Sequence, residues 1–160
     1  MIRILFFLMI MVIGGSAFAQ ESLNNLPLPR WVSLASDEVN LRVGPGERYP
    51  IDWVVKQKNM PVEINQEFEN WRKVKLQDGK IGWAHRAMLS GTRFAAVKQK
   101  NQLLYRQPDE TTAVQAKAQK GALLRLEKCQ KSWCFAGAQG FEGWVSKAGL
   151  WGVYRDEIFD

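Results

Sequence analysis

One histidine and two cysteines are the residues of this chain best suited to covalent chemistry. A histidine beside a cysteine can activate the thiol as a nucleophile, as it does in cysteine peptidases. His85 lies in the first half of the chain, whereas Cys129 and Cys134 lie in the second half. A disulfide between the cysteines would also consume the thiolate. We therefore expect no enzyme activity, and we interpret His85 as a polar residue at the end of a strand.

Other patterns that carry chemistry are weak in this sequence. Two cysteines separated by four residues, with one distant histidine, do not supply the four ligands of a structural zinc site. Glu67 and Glu69 stand two residues apart, which on a strand places both on one exposed face. The sequence shows no phosphate-binding loop and no serine-centred elbow. It therefore predicts no metal site and no cofactor.

The two cysteines are expected to form a disulfide. Cys129 ends one predicted strand, and Cys134 lies early in the next, so residues 130–133 would form the hairpin connection. Neighbouring strands bring Cβ atoms to about 4.5–5.5 Å, which is near the separation that a disulfide requires. An even cysteine count also fits an oxidising compartment.

The first nineteen residues have the pattern of an export signal. Arg3 gives a positive start, residues 4–13 are apolar, and residues 17–19 read Ala-Phe-Ala, which is typical of a cleavage site. We expect cleavage between Ala19 and Gln20, and a mature protein in the periplasm or the medium without a stable membrane anchor. An uncleaved anchor helix is the alternative.

The charge balance is modestly basic. Without Arg3 the chain has 21 basic and 16 acidic residues, a net charge of +5. Export argues against a nucleic-acid partner and leaves the polyanions of the envelope, to which a net charge gives only non-specific attraction. A role in solubility is the simpler interpretation of this charge.

An internal repeat of roughly 60 residues organises the mature chain. Trp71 matches Trp133 at an offset of 62, and the Gly-Trp pair at 82–83 matches the pair at 143–144 at an offset of 61. The predicted organisation is a signal peptide at 1–19, an extended lead-in at 20–30, one barrel at 31–91, a second barrel at 92–153 and a C-terminal tail at 154–160. Because the connection near Gly91 is short, the two units are expected to touch.

Short segments rich in Val, Ile and Trp, divided by closely spaced turns, predict an all-β fold. The predicted strands are 31–33, 39–42, 52–56, 61–68, 71–76 and 80–85 in the first copy, and 94–97, 103–105, 114–117, 123–128, 133–136 and 141–145 in the second. One helical turn is predicted at 86–89. Five or six short strands without a covering helix close most economically as a small barrel, because closure removes exposed edges.

Several sequence runs together resemble a bacterial SH3 domain, and most closely an exported alphaproteobacterial subgroup. In the first copy they are NLRVGPG at 40–46, YPIDWVV at 49–55, PVEI at 61–64, EFENWRKV at 67–74 and DGKIGWAH at 78–85, and in the second WC at 133–134, GFEGWV at 140–145 and LWGVY at 150–154. The resemblance implies two tandem SH3-like barrels in a protein that binds a component of the cell envelope. It supplies no known ligand residues.

A ligand-binding groove is predicted in the first copy, because SH3-like barrels often bind extended peptides in aromatic-lined grooves. The candidate residues combine aromatic rings with arginines that can engage carboxylates; they are Arg42, Arg48, Tyr49, Trp71 and Arg72. A second possibility is that the Leu-Pro-Leu-Pro run at 26–29 occupies this groove within the same chain.

The remaining tryptophans are divided between cores and domain ends. Trp53, Trp83 and Trp144 are expected in the barrel cores, because small barrels need bulky side chains to fill them. Trp31 and Trp151 are expected at domain ends or between the two copies.

These features predict a non-catalytic, exported binding module. Its leading candidate ligand is a peptide of peptidoglycan. The alternative is a periplasmic scaffold for protein–protein interaction, whose partner is another envelope protein. A hydrolase that uses cysteine and histidine is a third and disfavoured function.

Overall fold

The computed structural model describes residues 26–160, whose strands form two antiparallel sheets. The strands of the first sheet are β1 (Arg30–Leu34), β2 (Val39–Arg42), β3 (Ile51–Val55), β4 (Pro61–Phe68), β5 (Trp71–Lys75), β6 (Ile81–His85) and β7 (Leu89–Ser90). Those of the second are β8 (Phe94–Val97), β9 (Asn101–Tyr105), β10 (Val114–Gln119), β11 (Leu123–Gln130), β12 (Trp133–Ala138), β13 (Phe141–Ser146) and β14 (Leu150–Trp151). A short 3-10 turn precedes the last strand of each sheet, at Arg86–Met88 and at Lys147–Gly149.

The two sheets have the same topology. The strand order is β3-β2-β6-β5-β4-β1-β7 in the first and β10-β9-β13-β12-β11-β8-β14 in the second. Each strand of the first sheet therefore has a counterpart at the same place in the second, as the sequence repeat predicts. The prediction of an all-β fold with two tandem units is confirmed.

Most strand bounds follow from the sequence pattern. β2, β4 and β8 have the predicted bounds, and the other predicted strands end within two residues of the observed ones. β7 and β14 were not predicted, because each has two residues and is too short to show alternation. The predicted helical turn after His85 is the 3-10 turn at Arg86–Met88.

Alternating apolar residues build a separate core in each unit. In the first unit, Val62 and Ile64 of β4 and Val74 of β5 are buried together. Leu124, Leu126 and the other buried residues of the second unit form a matching cluster. Glycine allows two strands to approach closely at one point of each core, since a Cβ at residue 82 would lie 2.7 Å from the Leu41 Cβ, and one at residue 143 would lie 3.1 Å from the Leu104 Cβ.

The tryptophan assignments are confirmed only for the burial of Trp83, of whose surface 8% is exposed. Neither Trp83 nor the partly buried Trp144 belongs to the buried cluster that forms the core of its unit. The prediction that Trp53 belongs to a core is wrong, because 39% of its surface is exposed. β3 is the end strand of its sheet and buries only Val55. The Lys80 ammonium lies 4.7 Å from the centre of the Trp53 ring and covers part of it.

The two units meet at an aromatic junction. The ring centres of Trp31 and Trp151 are 4.8 Å apart, and the Trp151 indole N–H donates to the Pro61 carbonyl at 3.3 Å. The Tyr154 hydroxyl donates to the Glu63 carboxylate at 2.8 Å. Burial and this hydrogen bond raise the pKa of Tyr154, so the hydroxyl keeps its proton. The expectations that the units touch, and that Trp31 and Trp151 pack between them, are confirmed.

The residues after 153 are tied to the second unit. The backbone of Phe159 exchanges two hydrogen bonds with that of Cys129, at 2.8 and 3.1 Å. The Glu157 carboxylate pairs with Arg93, and the Lys147 ammonium donates to the carbonyls of Arg155 at 3.2 Å and Glu157 at 2.5 Å. The predicted C-terminal tail is therefore fixed along β11.

The described part of the lead-in, residues 26–30, lies at the junction of the two units. Leu26, Pro27 and Pro29 line a shallow depression together with Trp31 and Tyr154, and neither Tyr49 nor Trp71 belongs to that lining. Residues 26–29 therefore do not occupy the predicted groove near Tyr49 and Trp71. Arg30 donates to the Leu26 carbonyl at 3.3 Å and holds the start of this segment.

The predicted signal peptide, with its cleavage site at Ala19 and Gln20, lies outside the described residues. Within residues 26–160, no helix has the length and apolar character needed to cross a membrane.

Candidate functional site

The outer face of the first sheet combines positive charge with aromatic rings. β2, β6 and β5 are neighbours, and alternation turns Trp71 and Lys73 of β5, and Trp83 and His85 of β6, away from the core. Across the strands, Trp83 lies opposite Lys73 on one side and Arg42 on the other. We call Arg42, Trp71, Lys73, Trp83 and His85 the basic face.

Ring contacts hold the side chains of the basic face. The Trp71 and His85 rings meet edge to face, with centres 5.4 Å apart. The Lys73 ammonium lies 6.0 Å from the centre of the Trp83 ring, which is within the range of a cation–π contact. His85 Nδ1 accepts a hydrogen bond from the Ala87 N–H at 3.3 Å, so this histidine also fixes the start of the 3-10 turn. The face thus offers apolar rings beside cationic groups.

The loop between β2 and β3 adds to one end of this face. Arg42 donates to the carbonyls of Tyr49 at 2.7 Å and Glu47 at 3.1 Å, which ties the loop back to β2. The Tyr49 ring packs on Gly44, where a Cβ would lie 2.5 Å from a ring atom. The guanidinium of Arg48 lies 5.1 Å from the centre of the same ring. Arg42, Arg48 and Tyr49 are therefore brought together, as predicted.

Trp71 lies further along the same sheet. On β6, residue 81 is nearest the loop, Trp83 pairs with Arg42, and His85 pairs with Trp71. Two residues along a strand span roughly 7 Å. Trp71 is thus about 7 Å farther from the loop than Trp83 is. The basic face is therefore elongated and does not form a compact pocket.

The structure corrects the placement of Arg72. Because neighbouring strand residues point to opposite faces, Arg72 points inward when Trp71 points outward. Only 4% of its surface is exposed, and its Nε donates to Glu67 at 2.8 Å. Burial lowers the pKa of Arg72, and the charge of Glu67 partly offsets this. The Arg72 side chain therefore lies inside the β4–β5 hairpin and is not part of the basic face.

Three residues of the basic face were missed as ligand candidates. Lys73 and His85 share a face with Trp71 because they alternate with buried residues, and this alternation was visible in the sequence. Trp83 was assigned to the core because it follows Gly82 in the repeated Gly-Trp pair. Its small exposed area agrees with that expectation, but its ring contacts Lys73 on the outer side.

The second unit has an equivalent face with more aromatic rings and with one cation, Lys128, whose ammonium lies 5.8 Å from the centre of the Phe135 ring and 5.6 Å from that of Trp144. In place of Arg42 and Lys73 it carries Tyr105 and Phe135, at the positions paired with Trp144. The ring centres of Tyr105 and Trp133 are 5.8 Å apart, and those of Phe135 and Trp144 are 5.6 Å apart. We call Tyr105, Trp133, Phe135 and Trp144 the aromatic face.

The cysteines are joined as predicted. Cys129 and Cys134 form a disulfide between β11 and β12, with Cα atoms 4.0 Å apart. His85 belongs to the first unit and lies on an outer strand face. Among residues 26–160, no group of three or more His, Cys, Asp or Glu residues could hold a metal ion.

A family model of the bacterial SH3 domain matches residues 35–91 and 98–152. The chain therefore belongs to the bacterial SH3 domain family and contains two such domains, as the resemblance implied. Bacterial SH3 domains typically bind components of the cell wall.

Three solved structures are similar to this chain. NlpC2 and NlpC1 from Trichomonas vaginalis are each 11% identical, with TM-scores of 0.35 and 0.36; the matches cover 77% and 79% of this chain and 48% and 46% of those chains. An NlpC/P60 family protein from Bacillus cereus ATCC 10987 is 13% identical, with a TM-score of 0.35, over 75% of this chain and 55% of that chain. This chain thus spans about half the length of these proteins. No curated protein matches it.

Proposed function

We propose that this protein is a non-catalytic binding module of the periplasm or medium, and that its basic face binds peptides of peptidoglycan. The basic face supports this function because cationic groups alternate with rings along an extended strip. Such a strip suits an extended peptide, whose carboxylates meet Arg42 and Lys73 while its aliphatic parts pack on Trp71.

The state of the potential nucleophiles supports a non-catalytic role. Both cysteines are held in the disulfide, and His85 lies in the other unit. A cysteine nucleophile requires a thiolate within reach of a base. The geometry of residues 26–160 instead favours binding without bond cleavage.

Sedimentation of the purified protein with isolated sacculi tests this function. We expect binding that persists at physiological salt, where the Debye length is about 8 Å and the attraction of distant charges is screened. Trp71→Ala and Lys73→Gln should each weaken binding roughly fivefold, because each removes a contact at the centre of the strip.

Trp133→Ala is the matched control, since this residue holds the position of Trp71 in the second unit. Equal losses for Trp71→Ala and Trp133→Ala would show that the basic face has no special role. Absence of sedimentation at both salt concentrations would contradict the wall ligand and favour an envelope protein as the partner.

A further inference from the structure

The C-terminal residues of the chain cover one edge of the second sheet. The backbone of Phe159 exchanges two hydrogen bonds with that of Cys129, so this segment lies along β11 beyond the end of its pairing with β8. The Lys147 ammonium donates to the carbonyls of Arg155 and Glu157 in the same segment. A short extended segment of the chain therefore completes the second unit.

The first unit has the same edge, and within residues 26–160 no segment covers it. Glu67 is the counterpart of Cys129, because each is paired with the residue that follows the hairpin tryptophan. Antiparallel pairs alternate between bonded and non-bonded, so the N–H and C=O of Glu67 point outward as those of Cys129 do. Pairing of β1 with β4 ends at Ile64, and no described backbone group bonds to Glu67 on its outer side. We call Gln66–Phe68 the β4 edge.

Arg86 holds the position that Lys147 has in the second unit. The backbone N–H of each donates to the carbonyl of the residue before the hairpin tryptophan, at 2.8 Å for Arg86 and 2.9 Å for Lys147. Lys147 is buried against the C-terminal segment, with 6% of its surface exposed, whereas Arg86 is exposed. The cation that holds an extended segment in the second unit thus faces solvent in the first.

The barrel end beside the β4 edge has an excess of positive charge. Arg30 and Arg72 both pair with the Glu67 carboxylate. Burial lowers the pKa of Arg72, the Glu67 charge opposes this, and the charges of Arg30 and Arg86 add to the lowering, so the three cations lie near one another. Glu67 and the exposed Glu69 supply two carboxylates at this hairpin end. The remaining positive charge favours an acidic segment at the edge.

The described part of the chain begins next to this edge. The Leu26 carbonyl accepts a hydrogen bond at 3.3 Å from Arg30, whose guanidinium also pairs with Glu67. Residues 20–25, which read QESLNN, directly precede Leu26 and carry one carboxylate, Glu21, and no basic residue. Six extended residues span roughly 20 Å, about twice the length of the β4 edge. The segment therefore has the length, the charge and the point of attachment that the edge requires.

We propose that residues 20–25 add an extended strand to the β4 edge and complete the first unit as the C-terminal residues complete the second. Their backbone pairs with that of Glu67, and Glu21 supplies the negative charge that the arginines favour. The inference goes beyond the proposed function and does not depend on it, because it concerns a contact within the chain.

Amide hydrogen exchange tests this contact in the protein that starts at Gln20 and in a variant that starts at Leu26. We expect the shorter protein to exchange the Glu67 N–H at least roughly tenfold faster, because the deletion removes its hydrogen-bond partner. The Cys129 N–H is the matched control, since Phe159 binds it in both proteins. Its exchange rate should stay within about twofold.

A single substitution tests the charge without shortening the chain. Glu21→Gln should speed exchange of the Glu67 N–H roughly threefold, because it weakens the attraction to the arginines. Glu110→Gln alters an exposed carboxylate of the second unit and should leave that rate unchanged. Protection of the Glu67 N–H should also stay constant over a tenfold range of protein concentration, as a contact within one molecule requires.

The inference is overturned if the Glu67 N–H exchanges equally fast with and without residues 20–25. It is also overturned if protection rises with protein concentration, which would make a second copy of the chain the occupant of the β4 edge. Equal effects of Glu21→Gln and Glu110→Gln would remove the charge complementarity on which the choice of segment rests.

Discussion

The β4–β5 hairpin of the first unit and the β11–β12 hairpin of the second differ in the interaction that joins their strands at the same cross-strand position. Glu67 lies opposite Arg72 in the first, and Cys129 lies opposite Cys134 in the second. In each hairpin the next cross-strand pair toward the turn contains a tryptophan, which is Trp71 in the first unit and Trp133 in the second. The first unit thus uses a largely buried ion pair where the second uses a disulfide.

The difference extends to the arginine that begins each unit. Arg30 pairs with Glu67, so this carboxylate serves two arginines. Arg93 is the equivalent residue of the second unit, but a cysteine replaces its partner within the sheet. The Glu157 carboxylate from the C-terminal residues takes that role instead. The replacement of a carboxylate by a cysteine in the hairpin is therefore matched by an ion pair between Arg93 and Glu157, which are 64 residues apart in the chain.

The largest effect is expected from Glu67→Gln. This change removes the carboxylate charge that pairs with Arg30 and with the buried guanidinium of Arg72, which costs about 3 kcal/mol of unfolding free energy for a buried pair. Urea unfolding followed by tryptophan fluorescence measures the loss. Glu69→Gln, which alters a neighbouring exposed carboxylate, is the control and should change stability by less than about 0.5 kcal/mol. Similar losses for both variants would show that the ion pair is not the cause.

Removal of the disulfide should have a smaller effect. Cys129→Ala/Cys134→Ala opens a loop with only four intervening residues, for which loop-closure entropy gives about 2 kcal/mol. The small apolar replacements leave no buried charge behind. Urea unfolding of the variant, with the oxidised and reduced parent alongside, provides the measurement. A loss larger than that of Glu67→Gln would reverse the order expected from the comparison.

Glu157→Gln should cost about 1 kcal/mol at neutral pH, since the pair with Arg93 is only partly buried. Burial raises the pKa of Glu157, but the hydrogen bonds from Arg93 and the Tyr154 N–H, with the charges of Arg93 and Lys147, outweigh it and lower the pKa below its usual 4.5. A lowered pKa means that the contribution is complete above pH 4.5 and is lost as the pH falls through the folded-state value. The stability difference between parent and variant, measured from pH 7 to pH 3, should therefore shrink at the acidic end. A constant difference would exclude the ionic contribution.

The smallest change in unfolding free energy is expected when the ion pair of the first hairpin is replaced by the cysteine pair of the second. Glu67→Cys/Arg72→Cys should form a disulfide, because the cross-strand register is the same. It removes the buried charges of Glu67 and Arg72 together, and the loss of the Arg30–Glu67 pair is offset by the disulfide, so stability should stay within about 1 kcal/mol of the parent. Mass spectrometry with and without reductant detects the bond. Two free thiols would show that the hairpins differ in backbone geometry.

The sequence repeat predicted the parts of the fold that depend on alternation. The alternation of Val74 with its charged neighbours indicates one inward and one outward face of β5. The repeated Gly-Trp pair shows that β6 and β13 are equivalent. The position of Arg72 was missed because its residue type suggests exposure, and only its register opposite Glu67 explains its burial. Trp53 was misplaced because its residue type suggests a core, whereas β3 is an end strand.

The aromatic junction fixes the distance between the basic face of the first unit and the aromatic face of the second. Trp31 and Trp151, with the hydrogen bond from Tyr154 to Glu63, join the two units without a flexible spacer. A polymer that reaches both sites gains the second contact at little further entropic cost, but only if its own attachment points have the matching spacing. If both faces bind one polymer, as the proposed function implies, the rigid pair of domains would favour fragments whose attachment points match that spacing.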